Sequence, residues 1–227
     1  IGALTVTRAD AGVVFGTTDT TTATTGPVTT VRTNESIDIG STNVITGGIV
    51  LNGGTTANLL TFDTTDDSIR FNGSVKLQTH VLIDTGSAGA GDITFTSNSP
   101  INSEDDSTGA TTTERNNLTL NAGTGVVRFN EDIGATQRLG KLIVETANQI
   151  IFGEADTETP GTGTTGPVSV INTNDEINLG STGIISGGIV FNGGPNNSRD
   201  ADTTLALNNS NDDTLLITTT SDTIRIN

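Results

Sequence analysis

Carboxylates are the side chains whose spacing in this sequence could do chemistry. Asp63 stands near Asp66 and Asp67, Glu104 adjoins Asp105 and Asp106, and Asp200 and Asp202 precede Asp212 and Asp213. Ca²⁺ takes roughly six to eight oxygen ligands in flexible geometry. These loops are therefore the candidate calcium sites, and calcium is the one cofactor to consider. The glycine-aspartate nonapeptide of calcium-binding β-rolls is not reproduced, since Asp92 follows Gly91 directly. Solvated turn carboxylates are the favoured account of the same residues. Paired carboxylates also serve sugar-cleaving enzymes, which need a tuned acid or base and a platform for the sugar. Trp and Tyr are absent, and the seven Phe sit at apolar strand positions, so they are expected in the core. His80 is the single histidine and reads as an outward residue in the strand-like stretch Val75 to Ile83. With no Cys, disulfides, thiolate metal sites and a Cys nucleophile are excluded. Gly86 to Gly91 has no helix after it and reads as a turn, not a phosphate loop. The expectation is a chain without catalytic residues.

The elements that must carry these loops are short strands. Thr, Val and Ile suit a pleated surface, while Gly, Asn and Asp reach the left-handed conformations of tight turns. Gly breaks most windows in which a 3.6-residue period could develop, so almost no helix is expected. An apolar-x-apolar triad followed by Asn or Gly recurs at Val13–Gly16, Ile37–Gly40, Ile69–Asn72, Leu118–Asn121, Val127–Asn130, Ile150–Gly153, Ile177–Gly180 and Ile224–Asn227. Three of these form a close signature: Ile69, Arg70, Phe71, Asn72; Val127, Arg128, Phe129, Asn130; and Ile224, Arg225, Ile226, Asn227. Alternation turns two apolar side chains inward and the middle residue outward. Strands this short, about every ten residues, imply two or three strands per coil and roughly ten coils of a β-solenoid. At about 4.8 Å per coil the rod would measure on the order of 50 Å. Tandem β-sandwich domains are the structural alternative. Apolar residues make up only 32% of the chain and aromatics 3%, a supply better matched to a narrow interior than to a sandwich core.

Self-similarity organises the whole. Thr25 to Gly54 and Thr165 to Gly194 agree at eighteen of thirty positions, an offset of 140 residues. The likeness extends upstream, where Leu4 matches Leu142 and Phe15 matches Phe152, and downstream, where Ile69 to Asn72 matches Ile224 to Asn227. Residues 1–138 are thus a first unit and residues 139–227 the start of a second, in one continuous rod without a linker. Such a chain reads as a window on a longer tandem array. Exposed end rungs are templates for further strands, so self-association end to end or laterally is expected. Ten basic residues scattered singly against a net charge of −16 exclude a phosphate-binding patch, and hence nucleic acid as partner. No apolar run reaches the roughly 18 to 20 residues of a membrane span.

The phrases Gly89-Ala90-Gly91-Asp92-Ile93-Thr94-Phe95, Asn117-Leu118-Thr119-Leu120-Asn121-Ala122-Gly123-Thr124-Gly125 and Leu139-Gly140-Lys141-Leu142-Ile143-Val144 resemble the repeats of giant bacterial β-strand-repeat exoproteins of the filamentous-haemagglutinin-like adhesin type. The resemblance covers most of the chain. It implies a right-handed parallel β-helix, secretion to the bacterial cell surface, no catalytic residues, and a role in adhesion, aggregation, sheath or filament formation, with cell-surface glycans among the partners. Two other readings stand beside it. One is a carbohydrate-active β-helix lyase or hydrolase. The other is an ice-binding solenoid, for which the Thr runs at 17–25, 111–113 and 218–220 look more like loops than ranks. Asn34, Asn72, Asn117, Asn196 and Asn208 open N-x-Ser/Thr triplets, as chance alone supplies in so Asn- and Thr-rich a chain.

Overall fold

The computed structural model describes residues 1–16, 28–53, 59–86, 89–104, 115–153, 168–191, 215–220 and 222–227. They form strands and turns, with no helix among the described residues. Taken along the chain, the strands fall into successive triplets: β1 (Leu4–Val6), β2 (Val13–Phe15) and β3 (Thr30–Arg32); β4 (Ile37–Ile39), β5 (Ile49–Leu51) and β6 (Leu59–Asp63); β7 (Ile69–Phe71), β8 (Val75–Leu77) and β9 (His80–Asp84). There follow β10 (Ile93–Phe95), β11 (Ile101–Ser103) and β12 (Leu118–Asn121), then β13 (Val126–Phe129) and β14 (Leu142–Thr146). The last are β15 (Gln149–Phe152), β16 (Val170–Thr173) and β17 (Ile177–Leu179), with β18 (Ile189–Phe191), β19 (Leu216–Thr219) and β20 (Ile224–Ile226). Each triplet is one coil, and every strand pairs in parallel with its counterpart one coil away. The first face runs β1-β4-β7-β10-β13-β15-β18 and the third β3-β6-β9-β12-β14-β17-β20. The second runs β2-β5-β8-β11, crosses the isolated bridges of Ile133 with Ile101 and Ile171, and continues as β16-β19.

The molecule is a three-sided parallel β-helix. Sandwich domains, whose sheets are antiparallel, are ruled out by pairings that are parallel throughout. All eight apolar-x-apolar triads lie on strands. The coil count is a correction: the described residues form seven coils, not about ten. Counting one strand per ten residues overlooked the corner loops, so that first-face strands begin at residues 4, 37, 69, 93, 126, 149 and 189. Seven coils make a rod of about 30 Å.

Stacking places like on like. On the first face Ile37, Ile69, Ile93, Val127, Ile150 and Ile189 align in one inner column, and Ile39, Phe71, Phe95, Phe129, Phe152 and Phe191 in the next. Branching at Cβ keeps the first column in few rotamers, which favours the regular stack. All seven Phe join one ladder, one per coil. Phe15 meets Phe62 at 5.0 Å and Phe62 meets Phe71 at 5.5 Å, both edge to face. From Phe71 to Phe191 the rings stack at 5.1–5.4 Å between centroids. The expectation that these rings form the core holds for Phe62, Phe71, Phe95, Phe129 and Phe152, whereas Phe15 is partly buried and Phe191 is 40% exposed in the first and last coils.

The internal repeat reappears with a rotation. Leu4 pairs with Ile37 on the first face, and the equivalent pair Leu142 with Ile177 lies on the third. Val13 with Ile49 on the second face becomes Ile150 with Ile189 on the first. Thr30 with Thr61 on the third becomes Val170 with Leu216 on the second, and Ile37 with Ile69 on the first becomes Ile177 with Ile224 on the third. The cause is arithmetic. The first unit fills thirteen strands and the Ile133 bridge, fourteen positions on a three-sided prism, or four turns and two faces. Pairing is unbroken where the units meet, since β14 lies between β12 and β17. Corner geometry repeats as well. Gly40 and Gly180 have φ of +86° and +87°, the left-handed region that glycine alone enters without strain, and each N–H donates to the carbonyl of Val6 or Val144 at 2.7 or 2.8 Å.

Candidate functional site

Among the described residues the acidic candidates do not converge. Asp63 closes β6 and accepts from Arg32 Nε at 2.7 Å across the third face. Asp66, at φ +64°, and Asp67 lie in the following corner, where the Asp67 carbonyl accepts from Thr64 Oγ1 at 2.5 Å. Glu104 is on a different corner and takes a hydrogen bond from Gln78 Nε2 at 2.6 Å. Asp105, Asp106, Asp200, Asp202, Asp212 and Asp213 lie outside the described residues. Among the described residues no three Asp, Glu or His side chains come together in a metal-binding group.

His80 opens β9 at an outer position and is half-buried. Its Nδ1 accepts the N–H of Asn117 from the next coil at 3.0 Å, which places the proton of the neutral ring on Nε2. Burial lowers its pKa from the ordinary value. Burial raises that of Glu131, against a weaker opposing hydrogen bond from the Asp132 N–H. The two groups sit in separate coils and form no acid–base pair.

One open groove of about 410 Å³ runs along the corner between the third and first faces. Asn121, Asn148 and Ser186, with Thr124, Thr146 and Thr182, supply its polar lining, and Glu145 is the one carboxylate among its lining residues. Canonical sugar hydrolysis uses two carboxyl groups flanking the scissile bond. This groove provides one.

The signature residues divide by side. Ile69, Phe71, Val127 and Phe129 are fully buried, while Ile224 and Ile226 belong to the last coil and are about half exposed. Arg70 and Arg128 point outward on the first face, and Arg70 Nη1 reaches Asp38 Oδ1 and the Gly40 carbonyl, each at 3.0 Å. Arg225 lies on the third face beside Asn178, which replaces Asp38 in the second unit. Asn72 and Asn227 make the same corner bond, Nδ2 to the carbonyl of Gly40 or Gly180 at 2.9 or 2.8 Å. Asn130 continues the corner above, its N–H donating to Phe95 at 3.0 Å.

A column of buried threonines was missed by sequence reasoning. Thr33, Thr64 and Thr85 follow third-face strands and are at most 2% exposed. Their hydroxyls donate across the corner to the carbonyls of Glu35, Asp67 and Gly91 at 2.5, 2.5 and 2.7 Å. Thr173 and Thr219 repeat the bond in the second unit, to Asp175 and Asp222. For Thr33, Thr64, Thr173 and Thr219, a Thr at a strand end two or three residues before an acidic residue was the available signal, hidden by the abundance of Thr, whereas Thr85 carries no such signal. Of the Thr runs, 17–25 and 111–113 lie outside the described residues, while Thr218 and Thr219 are in β19.

The first and last coils are less buried than those between them. At one end Leu4, Val6, Val13, Phe15 and Val31 are only partly buried against the core. At the other Phe191 is 40% and Ile226 52% exposed, whereas the equivalent Leu51 and Phe71 are at 0%. No family model, curated protein or solved structure matches this chain.

Proposed function

We propose that this chain is a structural, non-catalytic segment of a secreted bacterial surface protein, a rigid acidic rod that builds a filament or sheath and connects or adheres cells. The observation that carries the reading is the continuously stacked prism, in which parallel pairing runs unbroken from coil to coil and across the junction of the two repeat units. A parallel stack of this kind lengthens by adding rungs, and a heterologous, non-closing contact gives filaments, not closed rings. Three further features support it. The repeat makes length adjustable by duplication, because each coil rests only on its neighbours. The net charge of −16 keeps a molecule with many strand edges soluble. The repeat phrases resemble those of bacterial surface adhesins, which supports a rod outside the cell with cell-surface glycans as partners.

Electron microscopy and sedimentation of the purified chain test the reading. Lengthening particles as concentration rises, and adherence of chain-coated beads to bacterial cells, are the expected results. Particles that stay at one coil stack at every concentration and coat beads without adherence would overturn it, as would release of reducing ends from a polysaccharide.

A further inference from the structure

The corner between the third and first faces is uneven from coil to coil. β14 gives way to β15 through Ala147 and Asn148 alone, whereas residues 122–125 join β12 to β13 on one side of it and residues 180–188 join β17 to β18 on the other. The short corner is recessed between two longer ones, and this recess is the groove of about 410 Å³. Two rungs, about 10 Å, separate its walls, and its volume falls among those of small-molecule sites, about 300–1,000 Å³. The wall from the longest corner is clamped. Thr182 donates its N–H at 3.2 Å and its hydroxyl at 3.1 Å to the Glu145 carbonyl, and the Gly187 N–H donates to the Asn148 carbonyl at 2.6 Å. A site held in this way needs little ordering on binding.

Hydrogen bonds within the lining decide what it can receive. Thr124 donates its hydroxyl to the Gly89 carbonyl at 2.7 Å, Thr146 to Asn121 Oδ1, and Ser186 to Asn148 Oδ1 at 3.2 Å. With these protons and that of Thr182 committed, all four oxygens present lone pairs. Glu145 adds a carboxylate that has no hydrogen-bond or ion-pair partner among the described residues. No Lys, Arg or His lines the groove, so phosphate, sulfate and carboxylate ligands meet no counter-charge. Ala147, 5% exposed, and Ile184, at 80% the most exposed large apolar side chain among the described residues, supply the apolar part. Strand addition by a peptide is closed here, because β14 and β15 are each paired on both sides.

We infer that this groove binds a hexosamine residue of a glycan, with Glu145 receiving its protonated amine, the threonine and serine oxygens its hydroxyl protons, and Ile184 the C–H face of the sugar. The inference rests on the reading of the molecule as a surface rod that meets glycans. An ammonium alone has three protons to give, too few for these acceptors, and no face to lay on Ile184.

The test titrates the full chain with tetraglucosamine, its fully N-acetylated counterpart and the plain diamine cadaverine, and follows amide chemical shifts by NMR. Tetraglucosamine is expected to shift residues 121–124, 145–148 and 182–186 saturably while 69–71 stay, and to bind about tenfold more tightly than either other probe. Glu145→Gln, which keeps the shape, should remove that preference, and Ile184→Ser should weaken tetraglucosamine by about threefold. Glu35→Gln, at an exposed carboxylate of another corner, should change neither. Equal binding of the acetylated tetramer or of cadaverine, shifts spread over the rod, or Glu145→Gln behaving like Glu35→Gln each overturn the site. Electron microscopy of the same preparations separates the two readings. Particles that lengthen with concentration while the groove residues stay unshifted overturn the groove and leave the rod intact.

Discussion

At the residue scale the interior is held by like side chains in register, so a single deletion interrupts a column. Phe129 is fully buried, with Phe95 stacked at 5.4 Å on one side and Phe152 at 5.1 Å on the other. Phe129→Ala removes both ring contacts and leaves a cavity that two rigid neighbours cannot fill. It is expected to cost about 3–5 kcal/mol in chemical denaturation. Arg128→Ala, on the outer side of the same strand, should stay within about 0.5 kcal/mol. His80 gives the pH dependence. Its folded-state pKa is depressed by burial, so on acidification the unfolded chain takes up the proton first. The stability held by neutral His80 is present above the ordinary value of about 6.5 and is lost as pH falls through the folded-state pKa. Glu131 acts with the opposite sign, because its raised pKa makes the folded state the better proton acceptor just above the ordinary carboxyl range. His80→Gln should therefore flatten the loss of melting temperature on acidification below about pH 6.5. An unchanged pH profile in that variant would contradict the assignment.

At the element scale, strands were easy to read and corners were not. A triad such as Ile69-Arg70-Phe71 declares its inner and outer sides by residue type, and all eight triads became strands. Corners are specified by hydrogen bonds between coils, which no local pattern displays. Thr85 shows why: its hydroxyl donates to the carbonyl of Gly91 within its own corner, and its N–H donates to Asn121 of the next coil at 2.9 Å. Nothing in the adjacent residues distinguishes it from the Thr of a loop. The same blindness inflated the coil count, since a corner as long as Gly40 to Gly48 separates two strands of only three residues. Thr85→Val keeps the shape but leaves the buried Gly91 carbonyl without that donor. The expected loss is about 1–3 kcal/mol. Thr85→Ser retains the hydroxyl and should recover most of it, a difference that denaturant midpoints at constant m-value would resolve. The acidic loops fared as they did for a related reason. Asp63 and Asp66 are close in sequence, yet one belongs to a strand end facing Arg32 and the other to a corner beyond it.

At the scale of the whole molecule, the 140-residue repeat could be read from the sequence, but its rotation could not. Fourteen strand positions do not divide by three, and only the pairings show that Leu142 stands on the third face where Leu4 stands on the first. The rotation explains differences between the units that otherwise look like drift. Leu51 becomes Phe191, while Phe62 and Phe71 become Ile217 and Ile226. Placed on their actual faces, these changes keep one Phe in every coil and hold the stack on the first face from Phe71 to Phe191. A second unit with unchanged core residues would have set Leu on the first face and Phe on the other two. Core residues are thus fitted to their face of the prism, and corner residues to their place in the repeat. Leu51→Phe tests this directly, since it copies a residue that the other unit carries at the same repeat position. Coil two already holds Phe62, and both sites are at 0% exposure, so the added ring overpacks the interior at a cost of about 1–3 kcal/mol. Adding Phe62→Ile returns the coil to a single Phe and should restore part of that loss. A favourable coupling of more than about 0.5 kcal/mol in the double-mutant cycle is the expected signature. Strict additivity would mean that repeat position, not face, governs which side chains the interior accepts.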